Sequence, residues 1–257
     1  MDSGAQPIIS HDKSMILTVN GEIYNYKKLK NKMLKEEDSD CQFVTNSDCE
    51  VIIHLYRMFG MEFVHHLDGI FSFVLFDNND GSYVVARDAI GVTTLYYGYN
   101  KERPETLYFA SEMKCLNDLC DTINSFPPGY IYDSKRKSFQ QWYQPNWYNE
   151  SLVPVQPVDY DLIRKQLTKA VKKRLMSEVP YGVLLSGGLD SSVIASIAAR
   201  ETRRMLKHEF VANNHQLLLK NNGGGGGDSS GSSSSDEQTD TYWPRLHSFS
   251  IGLPDKY

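Results

Sequence analysis

The stretch GVLLSGGLDSS, from Gly182 to Ser192, restricts the possible architecture of this chain more than any other. An apolar run, Val183 to Leu185, reads as a buried strand; Ser186, Gly187 and Gly188 read as a turn; Ser191 to about Lys207 reads as an apolar helix. A strand passing through a glycine turn into a helix is half of a parallel α/β unit. The first N–H groups of such a helix have no partner within it, and glycines let phosphate oxygens approach the backbone, so the turn is an anion site. Serine hydroxyls add donors, and Asp190 is placed to cap the helix or to hold Mg2+ carried by phosphates. Serine, glycine and aspartate also make ordinary strand-to-helix turns, but the complete seven-residue string favours phosphate. A Walker A loop needs a Lys that this turn lacks, and a nucleophile elbow needs Gly where Leu184 stands.

Upstream, short β-type runs alternate with turn signals: Met15 to Val19, Ile70 to Phe76, Ser82 to Ala86, Thr93 to Tyr97 and Leu107 to Ala110. After a capping-box-like Ser47-x-x-Glu50, the spacing of Val51, Ile52, Leu55 and Phe59 predicts a helix from about Asp48 to Phe59. A further hairpin-like stretch follows Phe126-Pro127-Pro128-Gly129. Repeated prolines at 145, 154 and 157 then resist continued regular structure and put a domain boundary near residue 150. Beyond it, Leu162, Ile163, Leu167, Ala170, Val171 and Leu175 line one face of a helix whose other face is basic and solvated. Asn221 to Asp240 is a Gly/Ser/Asp tract too poor in apolar side chains to order itself, and is expected to be a disordered insertion. A strand-like LHSFSIGL follows from Leu246 to Leu253.

With 257 residues, 40% of them hydrophobic, the chain can build two ordinary cores. Its net charge of -5 gives no basis for a nucleic-acid surface, and no apolar run is long enough to span a bilayer. The N-terminus lacks the pattern of a signal peptide, which makes a cytoplasmic location the expectation. Four scattered cysteines read as reduced and structural. His65 and His66 are adjacent and share no helix face, so they read as ordinary residues and not as a metal pair. Asn20-Gly21, between apolar runs, reads as a tight hairpin turn. Asp48 reads locally either as a helix N-cap or as a carboxylate for an ammonium group.

SGGLDSS resembles the pyrophosphate loop of the N-type ATP pyrophosphatases. MILTVNGEIYNY, NSDCEVI, LDGIFSFVLFD, VARDAIGVTTLYYG, FASEMKCL, FPPGYIYDS and YQPNW follow, in order, motifs similar to those of the glutamine-hydrolysing asparagine synthetases. That resemblance implies a fold in two parts. Residues 1–150 would be a class II glutamine amidotransferase-like domain, an N-terminal-nucleophile αββα sandwich lacking its N-terminus. Residues 151–257 would be the first part of an α/β parallel-sheet ATP-pyrophosphatase synthetase domain, carrying the insertion at 221–240. It also implies that Asn20 and Gly21 form an oxyanion hole. Asn20, Gly21, Glu22 and Asp48 would bind glutamine. Leu185, Ser186, Gly187, Gly188, Leu189, Asp190, Ser191, Ser192 and Ile251 would bind ATP and its pyrophosphate. Arg87, Asp88, Ser111 and Glu112 would organise the domain instead of performing chemistry.

The family's reaction amidates aspartate to asparagine through β-aspartyl-AMP, with ammonia from glutamine and ATP with Mg2+ as substrate. No dedicated metal site, nucleic acid or membrane is implied, and a homodimer is. The family's thiol nucleophile is an N-terminal cysteine, whereas this sequence opens Met1-Asp2; its later ATP loop is also not found. The chain is therefore expected to be incomplete and inactive alone. Two alternatives are an inert fragment or paralogue that acts by binding, and a β-lactam synthetase-like adenylating enzyme, which explains the retained glutamine motifs less well.

Overall fold

The computed structural model describes residues 5–35, 41–149, 151–152, 155–176, 181–221 and 246–250, and only the backbone of 208–221. They fall into two compact units, 1–155 and 156–257.

The first unit contains β1 (Ile8–Ile9), β2 (Met15–Ile23), α1 (Tyr26–Met33), α2 (Val51–Phe59), β3 (Gly69–Asp77) and β4 (Tyr83–Arg87). These are followed by β5 (Tyr96–Asn100), β6 (Arg103–Ala110), β7 (Thr122–Ser125), β8 (Tyr130–Asp133) and β9 (Ser138–Gln141). Six strands form one antiparallel sheet in the order β1-β2-β3-β4-β8-β9, and three form a second in the order β6-β5-β7. Alternation along β2 explains its orientation: Met15, Leu17, Val19 and Ile23 are buried, whereas Thr18, Asn20 and Glu22 are exposed. The buried set packs with Phe71, Phe73 and Leu75 of β3 and with Ile52, Ile53 and Leu55 of α2. Each such side chain contributes about 1.5–3 kcal/mol by leaving water. On the sheet's other face, Val85 and Tyr132 meet Leu95 and Phe126, with Tyr97, Leu107 and Phe109 of the small sheet alongside. The layers are thus helix, sheet, sheet, three of the four in the expected sandwich. Beside the small sheet, the described residues hold one 3-10 segment, Met113–Leu116.

The second unit holds α3 (Tyr160–Arg174), β10 (Gly182–Leu184), α4 (Leu189–Asn221) and β11 (His247–Phe249). Asp159 caps α3 by accepting from the Leu162 N–H at 2.9 Å. Strands β10 and β11 pair in parallel, with Val183 opposite Ser248, and Leu185 N–H continues the ladder to Phe249 O at 2.7 Å. The core is small: Val171, Leu175, Ile197 and Ala198 are buried. Among the described residues, no helix is long and apolar enough to cross a membrane.

Several sequence expectations are corrected. Asn20-Gly21 is not a hairpin turn but lies inside β2, where Asn20 faces Ser72 and Gly21 faces Phe71. Gly21 is there for close approach: at φ +152° a Cβ on it would stand 2.1 Å from Ile70 O. Helix α1, rich in lysine and burying only Met33, has no apolar periodicity to announce it. The first strand of the second unit is not buried, since Leu184 is 82% exposed, and Leu162 and Ile163 of α3 are exposed as well. Helix α4 starts at Leu189 and continues to Asn221, well past Lys207, because no glycine or proline interrupts it. Residues 222–240, which make up all but the first residue of the Gly/Ser tract, and 251–253 of the second strand-like run lie outside the described residues.

Candidate functional site

Two sites are built from the sequence-predicted residues, one in each unit. In the first, Asn20 and Glu22 occupy alternate positions of β2, so both side chains leave the same face of the sheet, the one opposite the α2 core. Asn20 Nδ2 donates to Ser111 Oγ at 3.4 Å. Ser111 O in turn accepts from Thr94 Oγ1 at 2.7 Å, and Thr94 O accepts from Ser72 Oγ at 3.2 Å. Ser72 is the cross-strand neighbour of Asn20, so this ring of contacts returns to its own starting point on the sheet.

Asp48 comes from the 3-10 turn Asp48–Glu50 that precedes α2. It is not the cap of that turn: Ser47 is, accepting from Cys49 N at 3.3 Å. Asp48 Oδ2 instead accepts from the Ile23 N–H at 2.6 Å, which anchors the carboxylate at the end of β2 just beyond Glu22. Cys49 donates its thiol to Gly21 O at 3.6 Å. Burial, reinforced by the negative charges of Asp48 and Glu22, pushes that thiol well above the ordinary cysteine range. Cys49 is therefore a neutral packing group and not a nucleophile. Asn20, Gly21, Glu22, Asp48 and Cys49 thus occupy one corner of the unit, with amide and carboxylate groups at its surface. Such a corner can donate to a carbonyl oxygen and accept from an ammonium group.

Glu50, the far end of the capping-box spacing, is bonded otherwise than that spacing implies. In place of the reciprocal capping box, Glu50 Oε1 accepts from Val44 N at 2.6 Å, and Oε2 accepts from Thr45 N at 2.7 Å and Thr45 Oγ1 at 2.5 Å. The residue is 1% exposed. Burial works to raise its pKa, but His54 and the donors at Thr45 and Val44 outweigh it, leaving the carboxyl below its usual range. His54 Nε2 stands 3.8 Å from Glu50 Oε1, and neither ring nitrogen has a hydrogen-bond partner. The spacing Ser47-x-x-Glu50 marked Glu50 as special, but for the wrong bond.

Arg87 and Asp88 are buried and organise their surroundings. The Arg87 guanidinium donates to the carbonyls of Thr93, Phe126 and Gly91 at 2.7, 2.7 and 3.0 Å. Asp88 accepts from the N–H groups of Ile90, Val92 and Thr93 and from the Thr93 hydroxyl. Glu112 pairs with Lys114.

The second site is the turn between β10 and α4. Gly187 has φ +83°, and nothing lies within 4 Å of where its Cβ would be, so the turn is open to solvent on that side. Gly188, Leu189 and Asp190 are exposed, and Leu185 is half-buried. Ser186 Oγ and Ser191 Oγ are 3.0 Å apart, and Ser191 and Ser192 donate to Gly188 O at 3.1 and 2.8 Å. The hydroxyls thus hold the turn in shape, and the first N–H groups of α4 remain outside helical bonding. Asp190 sits in the first turn, where the helix dipole favours a negative charge. Ile251 lies outside the described residues.

Residues 1–143 match the glutamine amidotransferase domain family, and residues 162–257 match asparagine synthase. The chain is 49% identical over 254 residues to a probable glutamine-hydrolysing asparagine synthetase of Schizosaccharomyces pombe, covering 99% of this chain and 41% of that one. It is 48% identical over 255 residues to glutamine-hydrolysing asparagine synthetase 1 of Saccharomyces cerevisiae, covering 99% and 42%. An Arabidopsis thaliana asparagine synthetase is 55% identical over 198 residues, covering 77% and 32%. The chain spans at most about two fifths of the length of these relatives. Among solved structures, the glutamine phosphoribosylpyrophosphate amidotransferase from B. subtilis is similar at a TM-score of 0.43 and 24% identity, over 77% of this chain and 47% of that one.

Proposed function

Because this chain belongs to the glutamine-hydrolysing asparagine synthetase family, with a glutamine amidotransferase domain followed by asparagine synthase sequence, we propose that it supplies the glutamine pocket and the pyrophosphate loop of an enzyme that makes asparagine from aspartate. The full reaction couples two halves. Glutamine yields glutamate and ammonia; aspartate and Mg-ATP yield β-aspartyl-AMP and pyrophosphate, and ammonia displaces AMP to give asparagine. Residues 1–150 would serve the first half and 151–257 the second, in a cytoplasmic, homodimeric protein.

The observation that carries the glutamine assignment is the bond from Ile23 N–H to Asp48, which gathers Asp48 beside Asn20, Gly21 and Glu22 although it is 25 residues from Ile23. In this reading Asn20 and Gly21 donate to the carbonyl oxygen of the side-chain amide as negative charge develops on it. Glu22 and Asp48 take the α-ammonium group, which orients the amide and rejects ligands without that charge. At the other site, the open Ser186–Ser192 turn supports phosphate binding by N–H groups at the start of α4. Its glycines leave room for the oxygens, and its single carboxylate, Asp190, is suited to a Mg2+ ion that arrives with the nucleotide. Leu185 and Ile251 would flank the nucleotide.

Titration of the chain with L-glutamine, followed by 15N NMR, tests the first site. Shifts at Asn20, Glu22 and Ile23 are expected, and they should be lost in Asp48→Asn. Shifts elsewhere only, or none, would overturn the glutamine assignment. Titration with Mg-pyrophosphate followed by 31P NMR tests the second, where binding that survives Asp190→Ala together with Gly187→Val would overturn the loop assignment.

A further inference from the structure

The turn that presents Asp48 is held by a carboxylate deep in the core. Glu50 takes two backbone donors on two different oxygens, Val44 N on Oε1 and Thr45 N on Oε2, and the Thr45 hydroxyl besides. The order continues outward from there. Thr45 Oγ1 accepts from Ser47 N at 3.1 Å, Ser47 Oγ accepts from Cys49 N, and Asp48, between them, reaches Ile23 N–H at 2.6 Å. A residue so buried would serve the helix start at less desolvation cost if it were apolar. What only a carboxylate can do here is take three donors from one segment and fix it. An amide cannot replace it, because one of its two ends is a donor and would face an N–H.

We propose that Glu50 is a positioning residue for the candidate glutamine pocket: through Val44, Thr45 and Ser47 it fixes the turn that sets the Asp48 carboxylate against Ile23. The functional part rests on the reading of Asp48 as a ligand of the glutamine ammonium group. Affinity for glutamine then depends on a residue that never touches it.

The experiment uses the 257-residue chain labelled with 15N-isoleucine, as wild type, Glu50→Gln, Thr45→Val and Thr45→Ser. The Thr45 variants are included because Glu50→Gln perturbs the core directly. Thr45→Val deletes both the hydroxyl's bond to Glu50 and the acceptor for Ser47 N, while the backbone N–H of residue 45 stays on Glu50. It should move the Ile23 resonance and speed exchange of that amide about tenfold, as for loss of one charge-assisted bond, with Ile131 in β8 unmoved. Thr45→Ser restores the hydroxyl and should restore both. Glutamine affinity should fall about tenfold in Thr45→Val and return in Thr45→Ser. An Ile23 amide unchanged in Thr45→Val overturns the proposal, and so does glutamine affinity lost without any change at Ile23. If the wild type binds no glutamine, the ligand assignment of Asp48 fails, while the Ile23 resonance still decides whether Glu50 positions it.

Discussion

A single methyl group tests the tightest contact in the first unit. Gly21→Ala forces a Cβ against Ile70 O and asks an L side chain to hold φ +152°. The strand pair β2–β3 must part locally, which is expected to cost about 3 kcal/mol or more and to appear as a lower urea midpoint. Glu50 gives a prediction in pH. Its folded-state pKa is depressed, so its contribution is complete above the unfolded carboxylate value of about 4.3 and is lost as pH falls through the lower folded value. Urea unfolding across that acidic range should therefore show a shallower loss of stability in Glu50→Gln than in wild type. The string NGEIYNY pointed to the residues of the candidate glutamine corner, but reading Asn20-Gly21 as a turn hid the strand whose alternation puts Asn20 and Glu22 on one face. The links that complete the corner were not legible. Ile23 and Asp48 are 25 positions apart, Asn20 and Ser111 are 91 apart, and no local pattern encodes either contact.

At the scale of elements, the strongly periodic segments were readable and the exceptions have physical reasons. The alternation in β2 and β3 and the apolar stripe of α2 were visible in the sequence. Asn20-Gly21 misled because a turn dipeptide also suits a strand where a partner backbone comes unusually close. Helix α1 was invisible because it buries one residue, and α4 runs beyond the expected end near Lys207 because residues 208–221 hold neither glycine nor proline. Cap and turn chemistry yields two predictions here. Asp159→Ala removes the acceptor for Leu162 N–H and should lower the stability of the second unit by about 1 kcal/mol, measured by circular dichroism during urea unfolding. Gly187→Ala meets no neighbour, so only its φ of +83° is penalised. The expected cost is about 1–2 kcal/mol, and a larger loss would mean that the turn is more crowded than its geometry implies.

For the molecule as a whole, the two units differ in how much holds them. Among the described residues, the first has two clusters of buried side chains on the two faces of its main sheet, and the second has four buried apolar residues with Leu184, Leu189 and Phe249 exposed. Calorimetry of the chain should show two transitions, the lower belonging to 156–257 and sensitive to Asp159→Ala, the upper to 1–155 and sensitive to Gly21→Ala. A single transition responding equally to both would refute that independence. The parallel pairing of β10 with β11 also has a temporal consequence. Leu184 and Phe249 can meet only after everything between them has been synthesised, and bringing the two ends together carries a loop-closure entropy that neighbouring contacts do not. On a growing chain, β10 therefore emerges from the ribosome well before β11 and cannot form this pair until the whole intervening segment has followed it.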